Sequence, residues 1–369
     1  MTAPHGKDHR ASGCSCCGHR NIGVDVHAHY YPESYLNLLE AAGVAAGVRF
    51  DRDPAGPRVK IGSMFAGPIQ STFIDIDERI HSMDEQGVSV QALSLTQPMV
   101  YWAPDDLSQR LSVAFNDALA SAHEAHPTRL FGLAILPMQK PELALAELER
   151  VSNLPGIRGV YMATCILDKD LSAREFWPVY ERIEDLGLPI FLHPVEVIGM
   201  EDRLTKFFLS NLLGNPFDTA IAASHLIFGG VLDRFPRLQV VLPHGGGAFP
   251  FLLGRIEHGW NVRPECRHLE RSPREYLPRF YYDTITHSPE ALGYLIDLVG
   301  PDRILLGSDY CFDMGYERPV EVIETHAGLG EAARQKILRD NAAHLLSLDA
   351  ISTPDPGAYP SNPGEVEQA

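Results

Sequence analysis

No apolar stretch in this chain reaches the roughly 18–20 residues needed to span a bilayer. Positive charge is also in short supply: 31 lysines and arginines stand against 48 aspartates and glutamates, a formal net charge of −17. That balance argues against a nucleic-acid or anionic-membrane partner. Cysteine is scarce and uneven, with six in 369 residues. Cys14, Cys16 and Cys17 crowd the N-terminus with His19, while Cys165, Cys266 and Cys311 are scattered, so no disulfide framework is expected. Thiolates and an imidazole suit zinc or copper. The Cys14–His19 cluster nevertheless lacks zinc-finger spacing, and residues 1–20 read as a flexible, redox-sensitive leader. That leader has no apolar core of a secretory signal, so the expectation is a cytoplasmic enzyme. No Gly-x-Gly-x-x-Gly follows the first apolar run, which disfavours a dinucleotide-binding open sheet. Residues 352–369 hold four prolines and almost no large apolar side chain. The tail 350–369 is therefore expected to be disordered.

What remains is ordinary globular material, 45% hydrophobic and 21% charged, and long enough for one large domain. Short apolar runs predict strands at Ile22–Val26, Val88–Leu95, Leu130–Leu136, Gly156–Ala163, Pro189–His193, Gln239–Pro243, Arg279–Thr284 and Arg303–Leu306. Between them, stretches such as Asp105–Ala125, Pro141–Val151, Ala173–Leu186 and Pro289–Leu298 carry apolar residues at three- and four-residue spacing. One helix face packed on a sheet requires that spacing. Eight strands alternating with helices predict an α/β protein, a (β/α)8 TIM barrel, over residues 21–349. Two stretches interrupt the rhythm, a Pro/Gly-rich flap at about 45–73 and a helical insertion at about 200–230.

Polar residues stand at the ends of four of these strands. His27-Ala28-His29 follows the first run; His193 closes Phe-Leu-His-Pro, His244 opens His-Gly-Gly-Gly, and Asp309 sits in Leu-Gly-Ser-Asp-Tyr. Residues at i and i+2 of a strand share a face, so His27 and His29 project side by side. Taken singly, each residue has an ordinary structural explanation, such as a core histidine or an N-capping aspartate. Barrel strands converge at their C-terminal ends, however, which brings all five residues to one mouth. Imidazoles and a carboxylate are good ligands for zinc, which lowers the pKa of a bound water toward neutral. His244, near that water without being a ligand, is the candidate proton shuttle.

At these positions the chain resembles the amidohydrolase superfamily, and more closely its decarboxylase branch typified by aminocarboxymuconate semialdehyde decarboxylase. The resemblance rests on Val-Asp-Val-His-Ala-His-Tyr-Tyr-Pro (24–32), Met-Asp-Glu-Gln-Gly-Val (83–88), Asp-Lys-Asp-Leu (168–171) and Phe-Leu-His-Pro (191–194). It continues through His-Gly-Gly-Gly-Ala-Phe-Pro-Phe-Leu-Leu-Gly-Arg (244–255) and Leu-Gly-Ser-Asp-Tyr (306–310). It implies His27, His29, His193 and Asp309 as metal ligands, with Asp309 and His244 in the catalytic set. It further implies Arg255 as a clamp for the substrate carboxylate, acting across the interface of a homodimer. Binuclear members place a carboxylated lysine on the fourth strand. Gly156–Ile166 contains no lysine, so one zinc per chain is expected, with manganese as the alternative.

The pattern is not complete. The branch carries a second substrate-binding arginine in the flap, near Gly67 here, and Phe65–Phe73 contains none. Val195 and Glu196 stand where tryptophan and aspartate usually follow the His-Pro, and Cys311 where a proline follows Ser-Asp-Tyr. The leading expectation is non-oxidative decarboxylation of an aromatic, heteroaromatic or muconate-type acid. Hydrolysis of an amide, lactone or C–C bond by the same metal site is the alternative, and a non-catalytic scaffold is weaker because every candidate ligand is present. Trp102, Tyr30 and Tyr31 are candidate pocket walls, and Cys311 a buried apolar thiol rather than a nucleophile.

Overall fold

Barrel strands buried on both faces read as nearly continuous apolar runs, and the eight runs fold as eight strands. In the computed structural model, which describes residues 22–348, they are β1 (Gly23–His29), β2 (Val88–Ser94), β3 (Leu130–Ile135), β4 (Ile157–Ala163), β5 (Ile190–His193), β6 (Val240–Leu242), β7 (Phe280–Asp283) and β8 (Ile304–Leu305). Each pairs in parallel with the next in chain order, as one eight-stranded sheet. Closure comes from the last pair: Val26 N donates to Leu306 O at 3.0 Å, and Asp309 N to His27 O at 2.8 Å. The expected leader and tail lie outside the described residues.

One principal helix fills each crossover: α1 (Ile76–Gln86), α2 (Asp105–Ala125), α3 (Pro141–Val151), α4 (Trp177–Leu186), α5 (Asn215–Phe228), α6 (Phe249–Val262) and α7 (Pro289–Val299). Their starts are written locally. Asp75 caps α1 by accepting from Glu78 N at 2.9 Å, and Ser288 caps α7 by accepting from Ala291 N. Proline opens α3 and α7, where its missing N–H costs nothing. The flap is a three-stranded antiparallel sheet, Arg49–Asp53, Gly56–Ile61 and Met64–Ala66. The second insertion is irregular until a wide turn at Ser210–Gly214 runs into α5.

The His27-Ala28-His29 pair lies inside β1 and not beyond it. The strand extends because its inward residues are tied down. Asp25, fully buried, accepts from Ser308 Oγ at 2.6 Å, Gln91 Nε2 at 2.9 Å and His27 N at 3.0 Å. Gln91 Oε1 in turn accepts from Arg79 Nη1 at 2.7 Å, and Arg79 also donates to His29 O. A buried guanidinium and a buried carboxylate are thus linked through one carboxamide without direct contact. The relay holds β1 and the Ser308–Asp309 segment in fixed register.

Candidate metal centre

Four side chains converge at the C-terminal mouth of the barrel: His27 from β1, His193 from β5, His244 just beyond β6 and Asp309 beyond β8. One ligand atom from each lies within 4.8 Å of all the others. His29 stands against this group, its Nε2 3.0 Å from Asp309 Oδ1 and its ring centroid 5.0 Å from those of His27 and His193. His27 Nε2 is 3.6 Å from the same oxygen, and His244 Nε2 is 3.9 Å from Asp309 Oδ2. All five residues expected from the sequence are therefore together. The ordering differs in one respect, since the tight group of four includes His244 and leaves His29 beside it.

The hydrogen bonds behind the imidazoles decide which nitrogen faces inward. His27 Nδ1 is 2.8 Å from Asp283 Oδ2, so Nδ1 carries the proton and Nε2 turns its lone pair to the centre. Asp283 also accepts from His244 N at 2.9 Å and Gly245 N at 2.8 Å, and so positions two of the five residues. Behind His29, Ser94 Oγ gives its only proton to Ala28 O and accepts from His29 Nδ1, 3.1 Å away. His29 Nε2 is then a lone pair, held 3.0 Å from a carboxylate oxygen. Two acceptors stay this close only with positive charge shared between them. His27 Nε2, His193 Nδ1 and His244 Nδ1 are buried with no hydrogen-bond partner. This donor set fits a divalent cation.

Electrostatics agree. Burial pushes His29 down to about 4 against the pull of Asp309. Burial, reinforced by the neighbouring imidazoles, holds His193 well below the ordinary histidine value, and burial lowers His244 too. These rings are neutral and able to ligate at pH 7. Burial, the largest single influence, would lower His27 as well, but the hydrogen bond to Asp283 together with the charges of Asp309, Asp283 and Asp25 outweighs it and raises the ring. Burial would raise Asp309, but the surrounding imidazoles outweigh it and keep the carboxylate ionised. Asp309 and His244 both have positive φ, 59° and 54°, a left-handed backbone that aspartate and histidine adopt only at some cost. Gly247 has no such choice: at φ +58° a Cβ would lie 2.3 Å from Pro216 O, where α6 meets the start of α5.

A cavity of about 130 Å³ opens onto this group, with Tyr31, Thr96, Gln97, Phe208 and Phe312 among its walls. The flap contributes Ala66. Gly67 could not carry an arginine, because its φ is +124° and a Cβ there would meet Pro57 O at 2.6 Å. Among the described residues, no lysine or arginine lines this cavity. A wider groove of about 800 Å³ shares His244 and Asp309 and extends past Phe251 and Tyr294.

The model of the amidohydrolase family matches residues 24–348. The chain belongs to the amidohydrolase family. It is 36% identical over 334 residues to 2-amino-3-carboxymuconate-6-semialdehyde decarboxylase of Dictyostelium discoideum, covering 89% of this chain and 93% of that one. The structure of 5-carboxyvanillate decarboxylase from Sphingomonas paucimobilis superposes with a TM-score of 0.77 at 27% identity, covering 89% of this chain and 99% of the other. A dihydroxybenzoic acid decarboxylase from Polaromonas sp. JS666, solved with bound manganese and the inhibitor 2-nitroresorcinol, superposes with a TM-score of 0.72 at 28% identity. That match covers 88% of this chain and 97% of the other. Within the amidohydrolase family these relatives are carboxy-lyases, so the chain is an enzyme of the decarboxylase branch and the hydrolase alternative is set aside.

Not every sequence expectation reaches this mouth. Arg255 is exposed on α6 and lines neither cavity of its own chain. Of the three candidate walls only Tyr31 lines the metal cavity. Tyr30 packs toward Phe115 and Arg79, and Trp102 Nε1 donates to Met99 O. Cys311 donates to Thr72 O at 3.1 Å, and burial raises its thiol to about 11, which leaves no thiolate for nucleophilic chemistry. Sequence reasoning missed Asp283, although it ends β7 as the other site residues end or follow their strands. Asp283→Asn should lower metal affinity roughly 10–100-fold with the fold retained. Metal titration monitored beside far-UV circular dichroism checks this, and unchanged affinity would show that His27 needs no carboxylate partner.

Proposed function

We propose that this protein catalyses metal-dependent, non-oxidative decarboxylation of an aromatic, heteroaromatic or muconate-type carboxylic acid. The observation that carries the reading is the convergence of His27, His193, His244 and Asp309, one ligand atom from each within 4.8 Å of the others and His29 beside them, inside a chain of the decarboxylase branch. His27, His29, His193 and Asp309 would hold one divalent ion, zinc or alternatively manganese, since nitrogen and carboxylate donors suit both. When bound, the ion supplies positive charge that polarises the oxygens of the acid.

The remaining roles belong to side chains of this chain. His244 is the proton carrier: its side chain is 16% exposed, against 6% for His27 and 0% for His29, so it alone among these rings exchanges protons readily with solvent. As the bond to the carboxyl carbon breaks, the electron pair stays on the ring carbon and CO2 departs. His244, neutral at rest, takes up a proton from solvent, delivers it to that carbon in place of the departed carboxyl group and returns to its neutral form. Phe312 and Tyr31 offer apolar faces on which a flat substrate can lie.

Arg255 fits the role of carboxylate clamp only if a second copy presents it. On α6 it follows Phe251 by four residues, so the two share a helix face, and Phe251 is 83% exposed. Leu212, Phe217 and Tyr294 add further exposed apolar surface on α7 and around the start of α5. A homodimer through this face would cover that surface and is the assembly we propose.

Purified protein assayed for metal content and for CO2 release from a panel of carboxylic acids tests the reading. About one metal per chain with CO2 release supports it; turnover of esters or amides without CO2 release overturns it. Arg255→Ala and His193→Ala proteins, each inactive, should regain activity when mixed, because a mixed dimer contains one intact site. No recovery after confirmed subunit exchange would show that Arg255 does not act across the interface.

A further inference from the structure

Two carboxamides face the metal cavity with nothing to bind. Asn211, in the wide turn Ser210–Gly214, and Asn215, the first residue of α5, stand one turn apart and line both the metal cavity and the wider groove. Asn215 is only 9% exposed. Its backbone carbonyl accepts from Thr219, but neither carboxamide has a hydrogen-bond partner among the described residues. Carboxamides that open into a cavity without a protein partner keep their donor and acceptor groups free for a ligand bound there.

The rest of the lining narrows what that ligand can be. No lysine or arginine faces the cavity, the flap offers only Ala66 there, and Asp313 adds a carboxylate at the rim. A second carboxylate on the substrate would find no cation within the chain, and one anion close by. A partner's Arg255 would be engaged by the reacting carboxylate. Carboxamides, by contrast, offer both an acceptor oxygen and N–H donors without charge.

We infer that Asn211 and Asn215 are specificity-determining residues that read a neutral donor–acceptor substituent on the substrate ring, a hydroxyl or an amide-like N–H/C=O edge. The same pocket excludes acids carrying a second carboxylate. The inference rests on the decarboxylase reading of the site and narrows its substrate class from the broad set of acids to monocarboxylates with neutral polar substituents. A site built to hydrogen-bond a substituent discriminates against an analogue lacking it, because its own groups are then left unpaired.

The test uses the full chain loaded with zinc or manganese and four probes: 2-hydroxybenzoate, 3-hydroxybenzoate, benzoate and benzene-1,3-dicarboxylate. Binding is measured by calorimetry and CO2 release is followed separately. At least one hydroxybenzoate should bind roughly 10–100-fold tighter than benzoate, with the dicarboxylate weakest. Asn215→Leu should reduce the hydroxyl preference to within about threefold while benzoate affinity stays the same. Asn211→Ala, at a more exposed position, should reduce it in the same direction and covers the case of a misfolded Asn215 variant. Ala66→Arg should improve dicarboxylate binding alone. Equal binding of all probes, no binding of any, or a preference unchanged in both asparagine variants overturns the inference. The expected binding order without CO2 release from any acid would overturn the decarboxylase reading and leave the specificity assignment standing. CO2 release without substituent preference would do the reverse.

Discussion

Asp309→Ala should purify with less than a tenth of the wild-type metal content and lose at least a thousandfold in activity. Asp309 is the one carboxylate in the group of four, and its oxygens lie 3.0 Å from His29 Nε2, 3.6 Å from His27 Nε2 and 3.9 Å from His244 Nε2. Without it, a doubly charged ion would sit in a buried pocket among imidazoles with no carboxylate in direct contact, Asp283 lying behind His27, a poorly compensated burial costing several kcal/mol. The backbone matters too, since φ at this position is 59° and alanine tolerates that region poorly. Asp309→Asn separates the two effects, because asparagine adopts the left-handed conformation and keeps the shape. Metal analysis of both variants decides the matter. Full occupancy in Asp309→Asn would remove Asp309 from the ligand set.

His244→Ala should behave differently, with metal content near wild type and activity down about 10²–10⁴-fold, the usual contribution of a positioned acid or base. The prediction is demanding because His244 falls inside the group of four by distance. Its role as proton carrier rests on exposure and support. It is the most solvent-accessible of these rings, and its backbone N–H, not its ring, is held by Asp283. His244→Asn provides a control for the positive φ of 54°. Metal loss equal to that of Asp309→Ala would make His244 a ligand and transfer the proton-carrying role elsewhere. Single-turnover CO2 release compared with metal content distinguishes these outcomes.

Much of the site was legible because barrel geometry converts strand ends into a shared location. His27, His29, His193, His244 and Asp309 are separated by up to 282 residues, yet each falls at or just beyond a strand end, and parallel closure does the rest. The supporting contacts were not legible. Asp283 reaches His27 across 256 residues, and nothing in Phe-Tyr-Tyr-Asp distinguishes a histidine partner from a polar strand end. The Arg79–Gln91–Asp25 relay looks in sequence like three unrelated polar residues near apolar runs, because hydrogen-bond satisfaction has no period.

By itself, then, the sequence determined the eight-stranded alternation, the cluster of ligand-type residues at strand ends and the absence of an arginine from Phe65–Phe73, since each is carried by local periodicity or by residue identity. Only the tertiary structure decided which imidazole nitrogens face the centre, that Ala66 and not Gly67 forms the cavity wall, that Arg255 points away from its own site, and that Asn211 and Asn215 stand unpartnered beside the metal group. Those are facts about direction and contact between side chains distant in sequence. They follow from how packed helices and closed strands aim each side chain, which the order of residues along the chain does not state.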